Sequence, residues 1–537
     1  MAFVVARCCS FQCQIILKGR LTEKLSSTDY TFQPLSMRGA EMPFLSQLVG
    51  HPADRVAIID SEGEHTYQAL LEHSRKLAGR IREQGEQYPF IAFLTGRDAS
   101  FIEVLLAIWL EESAAVPLDP LMSQPEWERR LLDIDVRCLV YSPEKKAEAL
   151  LLGQRLGIQL ICSSELSEKP SPLIKINPSL NALVLFTSGT SRCARGVIHT
   201  FSSLQAQVKS ICEAWDWHSH DRMLHILPMS HIHGLVCGLL APLAAGACCE
   251  ILPGFKTSDV WEHLAKGQNT LLTAVPAIYH YLVETWEKAS PEQQTQWAEG
   301  AASLRIAMVG SSQLMPTAYN GWLKITGKAL VTRYGLTEAG MVLSQNLDGS
   351  SGADTVGKPL YGVSVRLVDD HGNEMDGQGE LEIRSPQLFK GYYGKEDLNQ
   401  QAFRHGWFRT GDMAMRVGDE YRLLGRRSID IITSGGYRIS ALELESILDE
   451  HPEIRESAVL GTPCDNLGEA IYACIVPDAQ SGHIDIRDIN NWLFHQVATY
   501  KLPTHMQVVE QLPKTPVGKI DKLRLKESLV NSTRQAV

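Results

Sequence analysis

The stretch Phe186-Thr-Ser-Gly-Thr190, which continues to Arg195-Gly196-Val197, decides how this sequence is interpreted. The apolar run 182–186 predicts a buried strand, and it leads directly into hydroxyls and glycine. A turn of this composition can offer backbone N–H groups and short hydroxyl donors to polyphosphate oxygens. No Gly-Lys-Ser/Thr follows at the Walker spacing, so the stretch is not a Walker loop. Alone, a turn rich in serine, threonine and glycine can also be an ordinary turn.

Strand-like and helix-like segments alternate on both sides of this stretch. The apolar runs 90–94, 137–141 and 306–309 predict further buried strands, and 99–111 predicts an apolar helix. Alternation of this kind is typical of an α/β architecture. The sequence contains no internal repeat and no low-complexity linker.

The length predicts more than one domain, because a chain of 537 residues is too long for a single hydrophobic core. The boundary is predicted near Gly425-Arg-Arg-Ser428, after two strands with polar alternation. Beyond it, Ser440 and Glu443 predict a capping box at the start of a helix, and 485–497 predicts a second helix. The sequence is therefore divided into a leader (residues 1–41), a large domain (residues 42–427) and a small domain (residues 428–537).

Composition limits the partners and the compartment. The net charge of -11 indicates neither a nucleic-acid partner nor an anionic membrane surface. The apolar run 234–249 is shorter than the roughly 20 residues of a membrane span, so it predicts a buried core helix with its turn. Twelve cysteines without metal-ligand spacing favour a reduced, cytoplasmic location. Residues 1–22 are basic and contain no acid, which leaves a mitochondrial targeting peptide as the alternative.

Four more segments contain residues suited to a nucleotide. Arg333-Tyr-Gly-Leu-Thr-Glu338 combines a ring that can stack on a base with a hydroxyl and a carboxylate for phosphate and Mg²⁺. Trp407-Phe-Arg-Thr-Gly-Asp412 places an aspartate where it can accept hydrogen bonds from ribose hydroxyls, and Gly425-Arg426 follows. Pro513-Lys-Thr-Pro-Val-Gly-Lys519 presents a lysine on a loop framed by proline and glycine. Each segment alone also fits a turn, a solvated charge or a helix cap.

In this order, the five segments resemble the adenylate-forming, AMP-binding superfamily of acyl-CoA synthetases, luciferases and peptide-synthetase adenylation domains. The resemblance extends from about residue 42 to about residue 530, and it is closest to the malonyl-CoA synthetase branch, including its mitochondrial members. The residues that carry this likeness are Trp215-Asp-Trp217, Leu227-Pro-Met-Ser-His-Ile-His-Gly234, Ala274-Val-Pro-Ala-Ile-Tyr279, Arg305 with Gly310-Ser-Ser312, and Ser428-Ile-Asp-Ile-Ile-Thr-Ser-Gly-Gly-Tyr437 through Glu445.

The resemblance implies both a fold and an activity. The fold is α/β, with a large N-terminal domain of stacked sheets and helices, a small β-barrel-like subdomain, and a small mobile α+β lid domain. The activity is that of an AMP-forming acid–CoA ligase. A carboxylic acid attacks the α-phosphorus of ATP, pyrophosphate leaves, the small domain rotates, and the thiol of CoA attacks the acyl-adenylate. The implied partners are ATP, Mg²⁺, CoA and a small carboxylic acid.

The resemblance also implies roles for individual residues. Thr187, Ser188, Gly189, Thr190 and Arg195 are implied at the β- and γ-phosphates, and Gly310, Ser311, Ser312, Tyr334 and Gly335 around the adenine. Asp412 and Arg426 are implied at the ribose, Thr337 and Glu338 at phosphate and Mg²⁺, and Lys519 as the catalytic lysine that bridges the carboxylate and the α-phosphate. His231 and Arg305 are implied in the acyl pocket. Gly435 and Gly436 are implied beside the CoA tunnel, which a side chain would obstruct.

The phosphate loop departs from the family pattern. Ser191 and Arg192 replace a threonine and a glycine, Ala194 replaces a proline, and Arg195 replaces a lysine. Only glycine adopts a positive φ without cost, so the loop is expected to close differently or to support a weaker activity.

A second departure concerns the acid. Malonate-specific relatives pair the distal carboxylate with arginines, and Arg305 stands at one such position. The second arginine is expected shortly before Thr355, where 350–354 reads Ser-Ser-Gly-Ala-Asp. A carboxylate without a cation in a pocket is costly.

Three hypotheses follow. The first is a ligase for malonate or methylmalonate. The second is a ligase for a medium- or long-chain fatty acid or an aryl acid, with CoA or a carrier protein as the acceptor. The third is a degenerate member that binds nucleotide without turnover, a possibility raised by the altered loop and opposed by the intact Glu338, Asp412, Arg426 and Lys519.

Overall fold

The computed structural model describes most of the chain from residue 43 onward. The described residues are 43–187, 195–311, 314, 316–351, 354–427, 429–434, 437–464, 468–478, 485–497, 499–515 and 518–535. The predicted leader (residues 1–41), with its possible targeting peptide, lies outside these ranges. So do six predicted site residues, namely Ser188, Gly189, Thr190, Ser312, Gly435 and Gly436.

The first of two large sheets contains the strand that leads into the phosphate loop. Its central strands are parallel and buried along their whole length, because they consist almost entirely of apolar residues. The predicted strands at 90–94, 137–141 and 182–186 are confirmed to within a residue. In spatial order the strands are Gly391–Tyr392, Arg195–Thr200, Asn181–Thr187, Ala114–Pro117, Phe90–Leu94, Cys138–Tyr141 and Gln159–Cys162.

The second large sheet has a parallel centre that includes the predicted strand Ile306–Val309, which is fully buried. An antiparallel pair at one side of this centre, Val331–Leu336 with Gly340–Ser344, brackets the Thr337–Glu338 turn. In spatial order the strands are Lys358–Pro359, Gly340–Ser344, Val331–Leu336, Ile306–Val309, Leu271–Ala274, Arg222–His225, Cys248–Ile251, Val56–Asp60 and Gly63–Thr66.

Helices cover these sheets, and one of them, Ala99–Leu110, is almost entirely buried. Ten of its 12 residues are buried, which is typical of a helix that is apolar on every side. Trp109 on this helix donates its indole N–H to the carbonyl of Ala182 at 2.7 Å and so joins it to the first sheet. The other helices before residue 330 are Pro43–Gly50, Tyr67–Arg82, Gln124–Asp133, Pro143–Lys145 (3₁₀), Lys146–Leu156, Phe201–Ala214, Thr257–Ala265, Pro276–Glu287, Pro291–Ala302 and Pro316–Thr326.

The apolar run 234–249 is buried as predicted, but it is not a simple α-helix with a turn. It forms a π-helix, His233–Leu240, then a single α-helical turn, Ala241–Ala244, and then enters the strand Cys248–Ile251. A Cβ at Gly234 would lie 2.1 Å from the carbonyl oxygen of Pro228, so glycine allows the close approach that widens the helix. Among the described residues, no helix is long and apolar enough to cross a membrane.

A third sheet is antiparallel throughout and forms the smaller β subdomain. Its strands are Ser364–Val368, Gln378–Arg384, Trp407–Val417 and Phe403–Arg404 in spatial order, with Glu420–Arg426 paired to Trp407–Val417, and the short helix Glu396–Ala402 lies beside them. Its hairpin register places Asp412 directly opposite Arg426. Two residues that are 14 apart in the sequence are thereby brought together at the end of the hairpin.

The C-terminal part of the chain forms a fourth sheet with its own core. The strands are Tyr437–Ser440, Ile431–Ser434, Gly468–Pro477 and Ile454–Cys464, with His505–Val508 added in parallel to Gly468–Pro477. The helices are Ala441–Leu448, Ile486–Phe494, Thr499–Lys501 (3₁₀) and Lys522–Gln535. Ile432, Leu444, Leu448, Ile471 and Leu493 belong to one buried cluster in this part.

The predicted capping box at Ser440 is formed only in part. The Ser440 hydroxyl accepts the N–H of Glu443 at 3.2 Å, as an N-cap should. The carboxylate of Glu443 binds the ammonium of Lys501 at 2.7 and 2.8 Å instead of returning to the Ser440 backbone. A long-range ion pair therefore replaces the second half of the box.

A buried charge cluster joins the C-terminal part to the chain before it. The ammonium of Lys522 lies 2.6 Å from Oδ1 of Asp430 and 2.7 Å from Oε1 of Glu445. The other oxygen of Asp430, Oδ2, accepts the backbone N–H of Arg426 at 2.9 Å. One carboxylate thus connects the end of the β subdomain to the final helix.

Three buried histidines join the layers around the second sheet. Nε2 of His199 contacts the carbonyl oxygen of Thr337 at 2.8 Å, Nε2 of His225 that of Gly234 at 2.9 Å, and Nε2 of His233 the hydroxyl of Thr273 at 2.6 Å. Burial lowers the pKa of His199 and of His225 to about 4, and it lowers the pKa of His233 well below its usual value, with Arg333 adding to the effect.

The lowered pKa values of these three histidines predict that the folded protein is less stable at acidic pH. Their folded pKa values lie below the unfolded value near 6.5, so their stabilisation is present above about pH 6.5 and is lost as the pH falls toward 4. At pH 5.5 the loss is about 1 kcal/mol for each of His199 and His225, and His233 adds to it in the same direction. We expect the free energy of unfolding in urea to fall between pH 7.5 and 5.5, and His225→Gln to reduce that fall. An unchanged pH slope in that variant would refute the assignment.

Candidate active site

A large cleft lies where the ends of the two large sheets meet the C-terminal part. Its volume is about 3450 Å³, and it is lined by residues from every sheet. Phe186 and Thr187 line it from the carboxyl end of a strand in the first sheet, and Ser311 follows the strand Ile306–Val309 of the second. Carboxyl ends of strands are the usual place for ligands in open α/β sheets.

The two ends of the predicted phosphate loop meet at this cleft. Thr187 ends one strand, Arg195 begins the next, and the two residues are register partners. The guanidinium of Arg195 lies 5.5 Å from the ring centroid of Tyr392, so it faces that ring. The intervening residues 188–194 are outside the described chain.

Asp412, Arg426 and Tyr334 are brought together as the sequence predicts. Oδ1 of Asp412 accepts the Nε–H of Arg426 at 3.0 Å, and Oδ2 accepts the hydroxyl of Tyr334 at 2.6 Å. The neighbouring carboxylate raises the pKa of Arg426, whereas burial and then Asp412 raise the pKa of Tyr334. The aspartate is buried, and hydrogen bonds from one cation and one hydroxyl hold it at the cleft wall.

Thr337 and Glu338 occupy the turn between two strands of the second sheet and line the cleft. Oε1 of Glu338 accepts the hydroxyl of Tyr392 at 2.8 Å, and its other oxygen bonds to none of the described residues. Gly335 precedes this turn, and a Cβ there would lie 2.3 Å from the carbonyl oxygen of Gly340. Glycine is therefore needed for the two strands to pair this closely.

Lys519 reaches the same wall from the C-terminal part. Its ammonium donates a hydrogen bond to the carbonyl oxygen of Ser311, which adopts a left-handed φ of 76°. Desolvation, followed by the charge of Arg426, lowers the pKa of Lys519, while Asp412 raises it. Gly310, which precedes Ser311 in the chain, has no room for a Cβ, because Arg333 lies against it.

His231, which the sequence predicts in the acyl pocket, lines the cleft. Its Nε2 lies 3.8 Å from Oδ2 of Asp119, which also accepts the hydroxyl of Ser230 at 3.1 Å. Desolvation lowers the pKa of His231 despite this carboxylate.

Arg305 is not brought together with the other predicted residues. It lies at the start of its strand, opposite the carboxyl end where the cleft opens. Its guanidinium forms a two-point ion pair with Asp221, at 3.1 and 2.7 Å, and donates to the carbonyl oxygen of Trp215 at 2.9 Å. Arg305 does not line the cleft, so its cation is used to join loops instead of binding an acid.

Sequence reasoning did not assign the arginine that the structure places at the cleft, Arg333. This residue is fully buried, Nη2 of its guanidinium contacts Nε2 of His233, and its Nε has no hydrogen-bond partner among the described residues. No carboxylate of the described chain pairs with it, and burial lowers its pKa. No local pattern marks this residue, because Arg333 and Tyr334 both line the cleft although adjacent residues of a strand point to opposite faces.

Comparisons with known proteins agree with this geometry. Residues 44–393 match the model of the AMP-binding enzyme family, and residues 443–519 match the model of the AMP-binding enzyme C-terminal domain. The chain therefore belongs to the AMP-binding enzyme family. The predicted α/β fold, with its large N-terminal and smaller C-terminal domain, is confirmed, and so is the predicted enzyme class, an AMP-forming acyl-CoA synthetase.

Individual relatives are similar over most of the chain. A Humulus lupulus protein named "Probable CoA ligase" is 36% identical over 80% of this chain and 78% of its own length. The mitochondrial malonate–CoA ligase of Mus musculus is 33% identical over 90% of both chains. The crystal structure of ATP-bound MatB from Rhodopseudomonas palustris superposes with a TM-score of 0.83 at 26% identity, over 91% of this chain and 99% of MatB.

Proposed function

We propose that this acid–CoA ligase acts on malonate or methylmalonate. The observation that carries the proposal is Arg333, a fully buried guanidinium at the cleft without a carboxylate partner among the described residues. A buried cation is costly unless an anion joins it. The distal carboxylate of a dicarboxylic acid would supply that anion, and the name of the Mus musculus relative supports the same substrate.

The remaining polar groups at the cleft suit the activation of the acid. Lys519 would hold the attacking carboxylate and the α-phosphate together, since one compact charge on a long stem can reach both. Thr187 and the residues after it would bind the outer phosphates, and Asp412 with Arg426 would hold the ribose. Catalysis would then depend on positioning and on charge stabilisation of the leaving pyrophosphate.

Mg²⁺ fits the site at Glu338 and Thr337. A carboxylate oxygen without a partner in the described chain and a nearby hydroxyl are the hard donors that this ion prefers, together with phosphate oxygens. When bound, the ion would neutralise charge on the phosphates. The protein's own contribution is to hold Glu338 in place through Tyr392.

CoA would attack the acyl-adenylate in a second step. Residues 42–427 and 428–537 would then move as two bodies, with the predicted Gly435 and Gly436 brought beside the thiol. Three hydrogen bonds that cross between the two bodies, from Arg426 to Asp430, from Ser440 to Leu424 and from Lys519 to Ser311, would have to break or change in such a movement.

A monocarboxylic acid is the second candidate, and two observations favour it. Arg305 is occupied by Asp221. Asp354 lies in the segment where a second arginine was expected. It forms an ion pair with Arg422 at the cleft, so the charge of Arg422 is not available to a second carboxylate of the substrate.

ATP–pyrophosphate exchange separates these functions. We expect exchange with malonate or methylmalonate, weak exchange with butyrate and octanoate, and thioester only when CoA is added. Exchange with octanoate but not with malonate would establish the second candidate. Absence of exchange with every acid would rule out both ligases and favour a nucleotide-binding role.

Asp412→Ala tests the ribose assignment. Loss of two charge-assisted hydrogen bonds to the nucleotide is expected to raise the ATP KM about 10- to 100-fold. Asp419→Ala is a matched control, because Asp419 lies in the turn of the same hairpin and pairs only with Lys358, at 2.6 Å, on the surface. Steady-state kinetics would refute the assignment if the ATP KM and kcat of Asp412→Ala equalled those of the control.

We propose a cytoplasmic location, with the mitochondrial matrix as the alternative that residues 1–22 raise. The Mus musculus relative is named as mitochondrial. A fluorescent protein fused after residue 537 would decide between the two. Mitochondrial signal that disappears when residues 1–22 are deleted would establish the alternative.

A further inference from the structure

A second arginine that bonds to no carboxylate of the described residues lies beside the end of the strand that leads into the phosphate loop. Arg130 belongs to the helix Gln124–Asp133, which packs on the first sheet through the buried Trp127 and Leu131. The carbon of its guanidinium lies 4.8 Å from the ring centroid of Phe186, the residue just before Thr187. Arg130 also lines the cleft. A helix and a flat aromatic surface therefore hold this cation beside Phe186, at the end of its strand.

Two carboxylates act on Arg130 through their charge, Glu126 and Asp119, but both accept hydrogen bonds from other residues and neither bonds to it. Oε2 of Glu126, one turn earlier, accepts the N–H and the hydroxyl of Ser123 at 3.0 and 2.8 Å. Asp119 accepts Ser230 and the backbone N–H of Leu121. Arg130 makes no hydrogen bond or ion pair within the described chain, and burial, opposed first by Glu126, lowers its pKa.

The loop itself cannot neutralise this charge. Residues 188–194 read Ser-Gly-Thr-Ser-Arg-Cys-Ala and contain no acid. The loop's own cation at its second end, Arg195, faces Tyr392, whose hydroxyl is bound to Glu338. The space next to Phe186 and Thr187 therefore contains a fixed guanidinium that makes no direct bond to a carboxylate of the described chain, although the charges of Glu126 and Asp119 act on it from a distance.

We propose that Arg130 binds phosphate oxygens of a nucleotide substrate, in the first place the β- and γ-phosphates of ATP. This inference rests on the proposed ligase function. A guanidinium presents a planar fork of N–H donors that matches two phosphate oxygens, and one face of it can remain stacked on an aromatic ring. Because Phe186 leads directly into Thr187, Arg130 would reach the phosphates beside that strand end, whereas the ammonium of Lys519 lies at Ser311.

Arg130→Met tests the proposal, because methionine keeps the apolar contact with Phe186 and removes the charge. Loss of one charge-assisted interaction is expected to raise the ATP KM, and to weaken binding of pyrophosphate, about 10- to 30-fold. Arg130→Lys should recover part of this loss. Arg129→Met is the matched control, since Arg129 is the exposed neighbour on the same helix and donates only to the carbonyl of Pro125, at 3.2 Å.

Three measurements separate the outcomes. Equilibrium binding of ATP and of pyrophosphate to each variant should weaken for Arg130→Met, while the melting temperature and the KM for the acid stay at the control values. The CoA KM is measured with supplied acyl-adenylate. If Arg130→Met raised this KM and left ATP and pyrophosphate binding unchanged, the phosphates bound by Arg130 would be the diphosphate of CoA. Unchanged ATP, pyrophosphate and CoA affinities would overturn it. Wild-type protein that binds ATP but ligates no acid would refute the proposed function alone.

Discussion

Replacing Lys519 by alanine is expected to slow acyl-adenylate formation about 100- to 1000-fold, the range measured when one preorganised donor to a developing charge is removed. Thioester formation from supplied acyl-adenylate should remain close to the wild-type rate. The reason is the position of the ammonium, which binds Ser311 at the wall shared with Arg426 and Asp412. No other lysine of the described chain forms a hydrogen bond or ion pair with Ser311, Arg426 or Asp412.

The two half-reactions are measured separately, by pyrophosphate exchange and by CoA release from the adenylate. Lys514→Ala is the matched control, because Lys514 lies on the same loop and pairs with Glu456 at 2.8 Å, away from Ser311. Equal loss in both half-reactions of Lys519→Ala would contradict a role confined to adenylation. So would a similar loss in the control.

Replacing Arg333 by methionine is expected to reduce kcat/KM for malonate at least about 100-fold, since breaking a buried ion pair costs about 3–5 kcal/mol. The variant should lose much less with butyrate, because that acid has no distal charge to pair. Methionine fills a volume similar to that of the arginine stem, and removing a buried cation without a described carboxylate partner relieves a desolvation cost. The fold should therefore be at least as stable as the wild type.

The ratio of kcat/KM for malonate to that for butyrate is the deciding quantity. Arg305→Met provides the comparison, because it leaves Asp221 without its cation and should lower the melting temperature without changing that ratio. If Arg333→Met lowered kcat/KM for both acids equally, Arg333 would be a structural residue. If Arg305→Met changed the ratio instead, the sequence-based assignment of Arg305 to the acyl pocket would be supported.

Local patterns in the sequence were enough to predict much of the fold. Strands such as Phe90–Leu94 and Ile306–Val309 are uninterrupted apolar runs, and a fully buried strand requires such a run. The π-helix at His233–Leu240 could not be predicted in this way. It depends on the contact of Gly234 with Pro228 and on the ring of His225, which lies 2.7 Å from a Cβ built at Gly238.

Site residues could be predicted from the sequence where they lie within a short, recognisable motif. Asp412 and Arg426 lie in such motifs, and the hairpin register brings them together. Arg305 and Arg333 were not distinguishable, because whether a cation meets a ligand depends on distant partners. Asp221 is 84 residues away from Arg305, whereas no described carboxylate reaches Arg333. Counter-ions at such sequence separations leave no local pattern.

The carboxylate of Asp430 has a consequence for how the molecule can evolve and be engineered. Its Oδ2 accepts the backbone N–H of Arg426, and its Oδ1 binds the ammonium of Lys522. A substitution at this residue therefore removes a hydrogen bond at the end of the β subdomain and an ion pair to the final helix together, and neither contact can be altered there alone.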